Sequence, residues 1–146
     1  MERKYQFKRS LGMLSRQISK GLGIVMQECL RKEGRNISPV VWTVISYLRN
    51  NPSSSQQDIV NFLWINKVKV KRVLDILESE NLIKREISNE DRRYNKVKLT
   101  PEGIKFYDST VDCAVDALST AFKGFSEEEE RALIEMLLRI KSNLSQ

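Results

Sequence analysis

A mostly helical fold with one small β-hairpin is predicted by three features of this 146-residue chain. Apolar residues recur at three- and four-residue steps over long stretches near both ends. Between them lie shorter helical patterns with clear start signals. Near residues 84–100 the pattern changes to alternation of apolar and polar residues, which is the period of a strand.

The length suits one domain with a sizeable core. No apolar run approaches a membrane span, and the basic N-terminal segment lacks the apolar stretch and cleavage site of a signal peptide, so a cytoplasmic location and no membrane partner are expected. Cys29 and Cys113 are far apart and have no CxxC partner, so neither a disulfide framework nor a zinc site is expected. The chain has no histidine, and no P-loop, GxGxxG or nucleophile elbow. The commonest general base and metal ligand are therefore missing, so no cofactor and no enzymatic activity are expected.

Taken in order, the elements begin with a long amphipathic helix from about Tyr5 to Arg31, striped by Leu11, Leu14, Ile18, Leu22, Val25 and Cys29. Ser38-Pro39 reads as N-cap and first-turn proline of a second helix through Trp42, Ile45 and Leu48, which stops at Asn50-Asn51-Pro52. Ser55 and Asp58 form a capping box for a short third helix bearing Ile59, Phe62 and Leu63.

The segment "NKVKVKRVLDILESENLIKRE" opens with strand-like alternation. Its longer pattern places Val70, Val73, Leu74 and Leu77 on one helical face, with Asn66 as cap and Asn81 in the left-handed position that ends the helix. Val68, Arg72, Asp75 and Ser79 then point outward, flanked by Lys69 and Lys71. A short helix, a tight connection and a second helix basic in its first turns make a helix-turn-helix, whose second helix is the one that enters a major groove. Strands at Lys84–Ser88 and Lys96–Thr100, with Ile87, Val97 and Leu99 on the apolar side, form a wing around "NEDRRYN", where Arg92, Arg93 and Asn95 are candidate DNA contacts.

Charge is segregated along the chain, whose net charge is +6. Residues 1–37 hold nine Lys/Arg against three Asp/Glu, residues 67–100 ten against six, and residues 101–146 five against nine. That distribution suits an anionic partner. After the wing, Thr100-Pro101 caps a helix with Ile104, Tyr107, Val111, Val115, Leu118 and Phe122. Gly124 ends it, and Ser126 to Glu129 form a capping box for a last helix with Leu133, Leu137, Ile140 and Leu144. These apolar faces lie outside a small winged domain and call for a second copy of the chain in a two-fold dimer.

The stretch "NKVKVKRVLDILESENLIKREISNEDRRYNKVKLTPEG" resembles the recognition-helix and wing signature of the MarR family of transcriptional regulators, most specifically in Asp91-Arg92-Arg93 and "VKLTPEG". The resemblance implies a single domain over 1–146, with a winged helix-turn-helix DNA-binding lobe at 38–100 and a dimerisation lobe from 1–37 and 101–146. It implies a homodimer that grips a pseudo-palindromic operator on double-stranded DNA, with Arg93 reaching the minor groove and Asp91 orienting the wing. It also implies release by a small phenolic or lipophilic effector, in a pocket to which Arg16, Lys20, Trp42 and Tyr47 would contribute. Where the family often has small hydroxyl residues early in the recognition helix, this chain has Val68, Lys69 and Lys71. Its Asn81 stands where glycine is usual, a mild change because Asn tolerates positive φ. Family redox cysteines sit near the start of the first helix, whereas Cys29 falls near its end, where a buried, inert thiol is expected. An effector-independent regulator stays open. A winged-helix protein-interaction module would require a weakly charged recognition helix, and an RNA-binding protein an aromatic platform, which this chain lacks.

Overall fold

The computed structural model describes residues 4–87 and 95–145. A short 3₁₀ turn at Phe7–Arg9 precedes α1 (Leu11–Lys32), followed by α2 (Pro39–Asn50), β1 (Ser54–Ser55), α3 (Gln56–Leu63) and α4 (Lys67–Ser79). Then come β2 (Ile83–Ile87), β3 (Asn95–Leu99), α5 (Pro101–Ala121) and α6 (Glu127–Leu144). The mostly helical class with a small β-wing holds.

Local chemistry explains where the elements start. Ser55 accepts from the Asp58 N–H and Asp58 returns a carboxylate oxygen to the Ser55 N–H at 2.8 Å, a reciprocal capping box. Ser126 and Glu129 repeat it at α6. Ser10 is extended and its hydroxyl oxygen accepts from the Met13 N–H, so α1 begins at Leu11 and the helix expected from Tyr5 is interrupted by a separate turn.

α4 ends in a Schellman motif. Asn81 adopts a left-handed conformation with φ 59°. Its N–H reaches the Glu78 carbonyl at 3.0 Å, and the Leu82 N–H reaches the Leu77 carbonyl at 2.9 Å. This turn is tied to the start of α5. Thr100 Oγ1 donates to the Asn81 carbonyl at 2.6 Å and accepts from the Gly103 N–H at 3.0 Å. A Cβ on Gly103 would collide with the Leu82 carbonyl, which gives the "LTPEG" stretch a physical reason: only glycine lets α5 start this close to the α4–β2 connection.

The sheet has three strands in the order β1-β3-β2, all antiparallel, with Ile83 opposite Leu99 and Arg85 opposite Val97. β1, two buried serines paired with Lys96 and Val97, is an addition to the two-stranded wing expected from sequence. The strands begin one residue earlier than expected, at Ile83 and Asn95. Ile87 shares a face with Val97 and Leu99 as expected but is 70% exposed, whereas Ile83 at the other end of β2 is buried.

The main core joins Val41, Val44, Ile45 and Leu48 of α2, Ile59 of α3, and Val70, Val73, Leu74 and Leu77 of α4 to Ile83, Val97 and Phe106. A second cluster of Met26, Leu30 and Cys113 packs α1 on α5, and Trp42 and Ile37 touch both clusters. Trp42 Nε1–H donates to the fully buried Thr110 Oγ1 at 3.0 Å, and its ring stacks on Tyr107 with centroids 5.8 Å apart.

The cysteine expectation is corrected. Cys29 and Cys113 form a disulfide, with Cα atoms 5.6 Å apart across 84 residues of sequence, and are not inert thiols. Antiparallel packing of α1 on α5 brings together positions whose sequence spacing carries no signal. Within the chain α5 buries Gly103, Phe106, Thr110, Cys113 and Ala117, a face the sequence analysis did not single out, while Ile104, Val115 and Leu118 of the stripe expected to meet a second copy face outward. Apart from Phe106 the inner face is made of small and polar residues, so the large apolar side chains in the second half of α5 mark the outer one. α6 buries no residue completely, with Leu133 and Ile140 half-buried and Leu137 and Leu144 exposed.

Candidate nucleic-acid interface

α3 and α4 form the helix-turn-helix, and the turn between them carries Trp64 in a left-handed conformation (φ 54°, ψ 33°). Asn66 caps α4 by accepting the Lys69 N–H at 2.8 Å. With Val70, Val73, Leu74 and Leu77 buried, the first two turns present Lys67, Val68, Lys69, Lys71 and Arg72 to solvent, Val68 being 67% exposed. Asn66, Lys67, Val68, Lys69 and Arg72 line a shallow concavity. The structure therefore brings together Val68, Lys69, Lys71 and Arg72 on one exposed face. Asp91, Arg92 and Arg93 lie outside the described residues, and Asn95 enters β3 through its backbone pairing with Ile87.

Further along α4 an ion-pair network reaches the wing. Asp75 accepts from Lys71 Nζ at 3.0 Å and from Arg85 Nη2, on β2, at 2.7 Å. The buried Arg85 Nε has Glu78 Oε2 at 3.7 Å, an ion-pair separation beyond hydrogen-bonding reach. The hydrogen bond from Arg85, then that from Lys71, holds the Asp75 carboxyl below its ordinary value. Sequence reading placed Asp75 outward but missed its partner, since Arg85 comes within reach only when β2 folds back along α4. On the opposite face of the wing, Lys84, Lys96 and Lys98 surround Glu86, whose Oε2 lies 3.2 Å from Lys98 Nζ.

Replacing Asp75 by alanine frees Lys71 and unlocks the wing from α4. Duplexes of unrelated sequence are expected to bind as well or better, with a salt slope steeper by about one charge per protomer, while preference for the operator falls. The check is competition binding of operator against random duplex; an unchanged preference contradicts it. A carboxyl with a lowered folded-state pKa stabilises the network above its ordinary titration range, and that contribution is lost as pH falls through and below this range. Operator preference should therefore be flat around neutrality and fail only in acid.

Away from this surface, α1, α2, α5 and α6 enclose an open apolar cleft of about 660 Å³, lined by Ile18, Leu22, Met26, Trp42, Ala117 and Leu137 among others. Of the four residues expected at a pocket, the structure places Trp42 on this cleft. Arg16 and Lys20 are on the exposed side of α1 and do not line it. Tyr47 lies elsewhere, against the Phe62 ring at 4.9 Å and with Ser54 Oγ 3.5 Å from its hydroxyl.

Comparison with known proteins agrees with this geometry. Residues 37–94 match the model of the MarR family. The chain is 27% identical over 128 residues to an uncharacterized HTH-type transcriptional regulator, YdgJ, of Bacillus subtilis, covering 88% of this chain and 75% of that one. Among solved structures, BpsR of Bordetella bronchiseptica, whose DNA binding is regulated by 6-hydroxynicotinic acid, superposes with a TM-score of 0.83 at 23% identity, over 95% of this chain and 98% of that one. MepR of S. aureus in complex with DNA gives 0.80 at 23% identity, over 96% and 100%. The names and descriptions of these proteins are of transcriptional regulation and DNA binding, and no helix among the described residues is long and apolar enough to cross a membrane.

Proposed function

We propose that this chain, whose residues 37–94 match the model of the MarR family of transcriptional regulators, acts as a homodimeric, cytoplasmic repressor of a pseudo-palindromic operator. The observation that carries the reading is the exposed basic face of α4, with Lys67, Lys69, Lys71 and Arg72 in its first two turns and the wing beside it. Val68 would meet a thymine methyl and Lys69 or Arg72 guanine O6/N7 or a phosphate, while Lys71 lies on the same face with its charge held by Asp75. The lobes are 38–100 for DNA and 1–37 with 101–146 for dimerisation, and in the wing Arg92, Arg93 and Asn95 would extend the contact while Asp91 orients it. Support for the dimer comes from apolar side chains exposed on α1, α5 and α6, which a single chain leaves uncovered.

Affinity for duplex DNA should fall steeply with salt. If both protomers together neutralise six to ten phosphates, about 10³–10⁵ in affinity is lost between roughly 50 and 200 mM salt. A salt titration of operator binding checks this, and a flat response contradicts the DNA reading.

The cleft supports a second component, release by a small apolar or phenolic effector. Its volume of about 660 Å³ and apolar lining match small-molecule sites. The Trp42 N–H is already committed to Thr110, so an effector would meet the indole's face and take its polar contacts from Ser15, Ser19 or Thr43.

A further inference from the structure

We propose that Trp64, in the α3–α4 turn, is a further DNA contact. Its indole packs on the sugar-phosphate backbone beside the groove that receives α4, with Nε1–H donating to a phosphate oxygen. The inference rests on the DNA-binding reading above.

Trp64 has an unusual backbone conformation. At φ 54° and ψ 33° a side chain's Cβ crowds its own carbonyl, so glycine or asparagine is favoured and a bulky residue is an outlier. Such strain persists where something compensates for it. The fold offers Trp64 little, for it is 60% exposed. Trp42 donates to Thr110 and stacks on Tyr107. Trp64 has neither an acceptor for its N–H nor a stacked ring among the described residues. An exposed indole in a disfavoured turn is better explained by a partner than by the core.

Position and charge identify that partner. Three residues of chain, at most about 11 Å, separate Trp64 from Lys67 and the basic concavity of the first turn of α4. No acidic residue occurs between Asp58 and Asp75, so this surface suits a polyanion better than an apolar protein face. An indole matches a nucleic-acid backbone, offering an apolar face to the deoxyribose and one donor to the phosphate. Such a contact fixes orientation and carries no sequence information.

The test compares the wild-type chain with Trp64→Gly and Trp64→Phe. Trp64→Gly should melt a few degrees higher, because glycine relieves the turn. It should also bind operator and mixed-sequence duplex about tenfold more weakly, one lost contact per protomer. Trp64→Phe, with a ring but no donor, should fall between. Because the indole is uncharged, plots of log affinity against log salt should stay parallel to wild type. Acrylamide should quench the exposed tryptophan in the free protein and lose access to it on duplex addition. A lower melting point for Trp64→Gly, wild-type affinity with the indole still quenchable in the complex, or a loss confined to one sequence would each overturn the proposal. If the wild-type chain itself binds no duplex, the DNA reading falls with it, and that result is distinct from the others.

Discussion

Reduction of the Cys29–Cys113 disulfide is expected to lower the unfolding free energy by about 4–5 kcal/mol. A cross-link across 84 residues removes chain entropy from the unfolded state, and the loop-closure relation gives about 4.5 kcal/mol for that length at 25 °C. The closed loop contains the whole of residues 38–100, so the unfolded DNA-binding lobe is confined while its native contacts stay as they are. The bond also lies where α1 is anchored, since Met26 and Leu30 are the buried residues of that helix. In the reduced protein α1 is held on α5 by packing alone. Denaturant titration with and without reductant, alongside thiol counting, makes the check. The midpoint should fall and the melting temperature drop by roughly 10 °C or more. Equal midpoints for the oxidised and fully reduced protein would contradict the expectation.

The helices were legible in the sequence because their determinants are local. Ser55 with Asp58, Ser126 with Glu129, Asn66 and Asn81 do in the structure what their types and spacing predicted, and the 3.6-residue pattern through Val70–Leu77 outweighs the lysine–valine alternation before it. The exposed basic residues of α4 followed from the same periodicity.

What stayed illegible depends on contacts distant in sequence or on residues with little propensity signal. The disulfide needs α1 laid along α5. Arg85 meets Asp75 across a strand connection. Ser54 and Ser55 become a strand only because β3 passes beside them. On α5, Thr110 and Ala117 face inward while Val115 and Leu118 face outward, so side-chain hydrophobicity marks the uncovered face and leaves the small and polar positions of the intrachain face without a signal. Trp64 was unreadable for a different reason: left-handed turns are anticipated from glycine or asparagine, and nothing in tryptophan announces one.

The outward stripe of α5 leads to the other large effect. In a single chain Leu11, Leu14 and Ile18 of α1, Val115 and Leu118 of α5, and Ile134, Met136 and Leu138 of α6 are all exposed. Each is about half-exposed, so covering one contributes about half of the roughly 1.5–3 kcal/mol of a full burial, and a second copy that covers most of this surface supplies enough for a stable dimer. The double variant Leu14→Glu/Leu138→Glu tests this without touching the core, because neither side chain is buried within the chain. Charges in a two-fold interface face their own copies or desolvate against leucine, and both cost heavily. The variant should keep its helical circular dichroism yet run as a monomer in sedimentation. Its operator affinity should fall by about 10²–10⁴-fold, because the second half-site is no longer engaged intramolecularly. A half-turn of DNA inserted between the half-sites should cost wild type comparably and the variant little, since one recognition helix has no partner groove to miss. A folded double variant that stays dimeric, or that binds operator as wild type does, would place the dimer contact elsewhere or remove it from the mechanism.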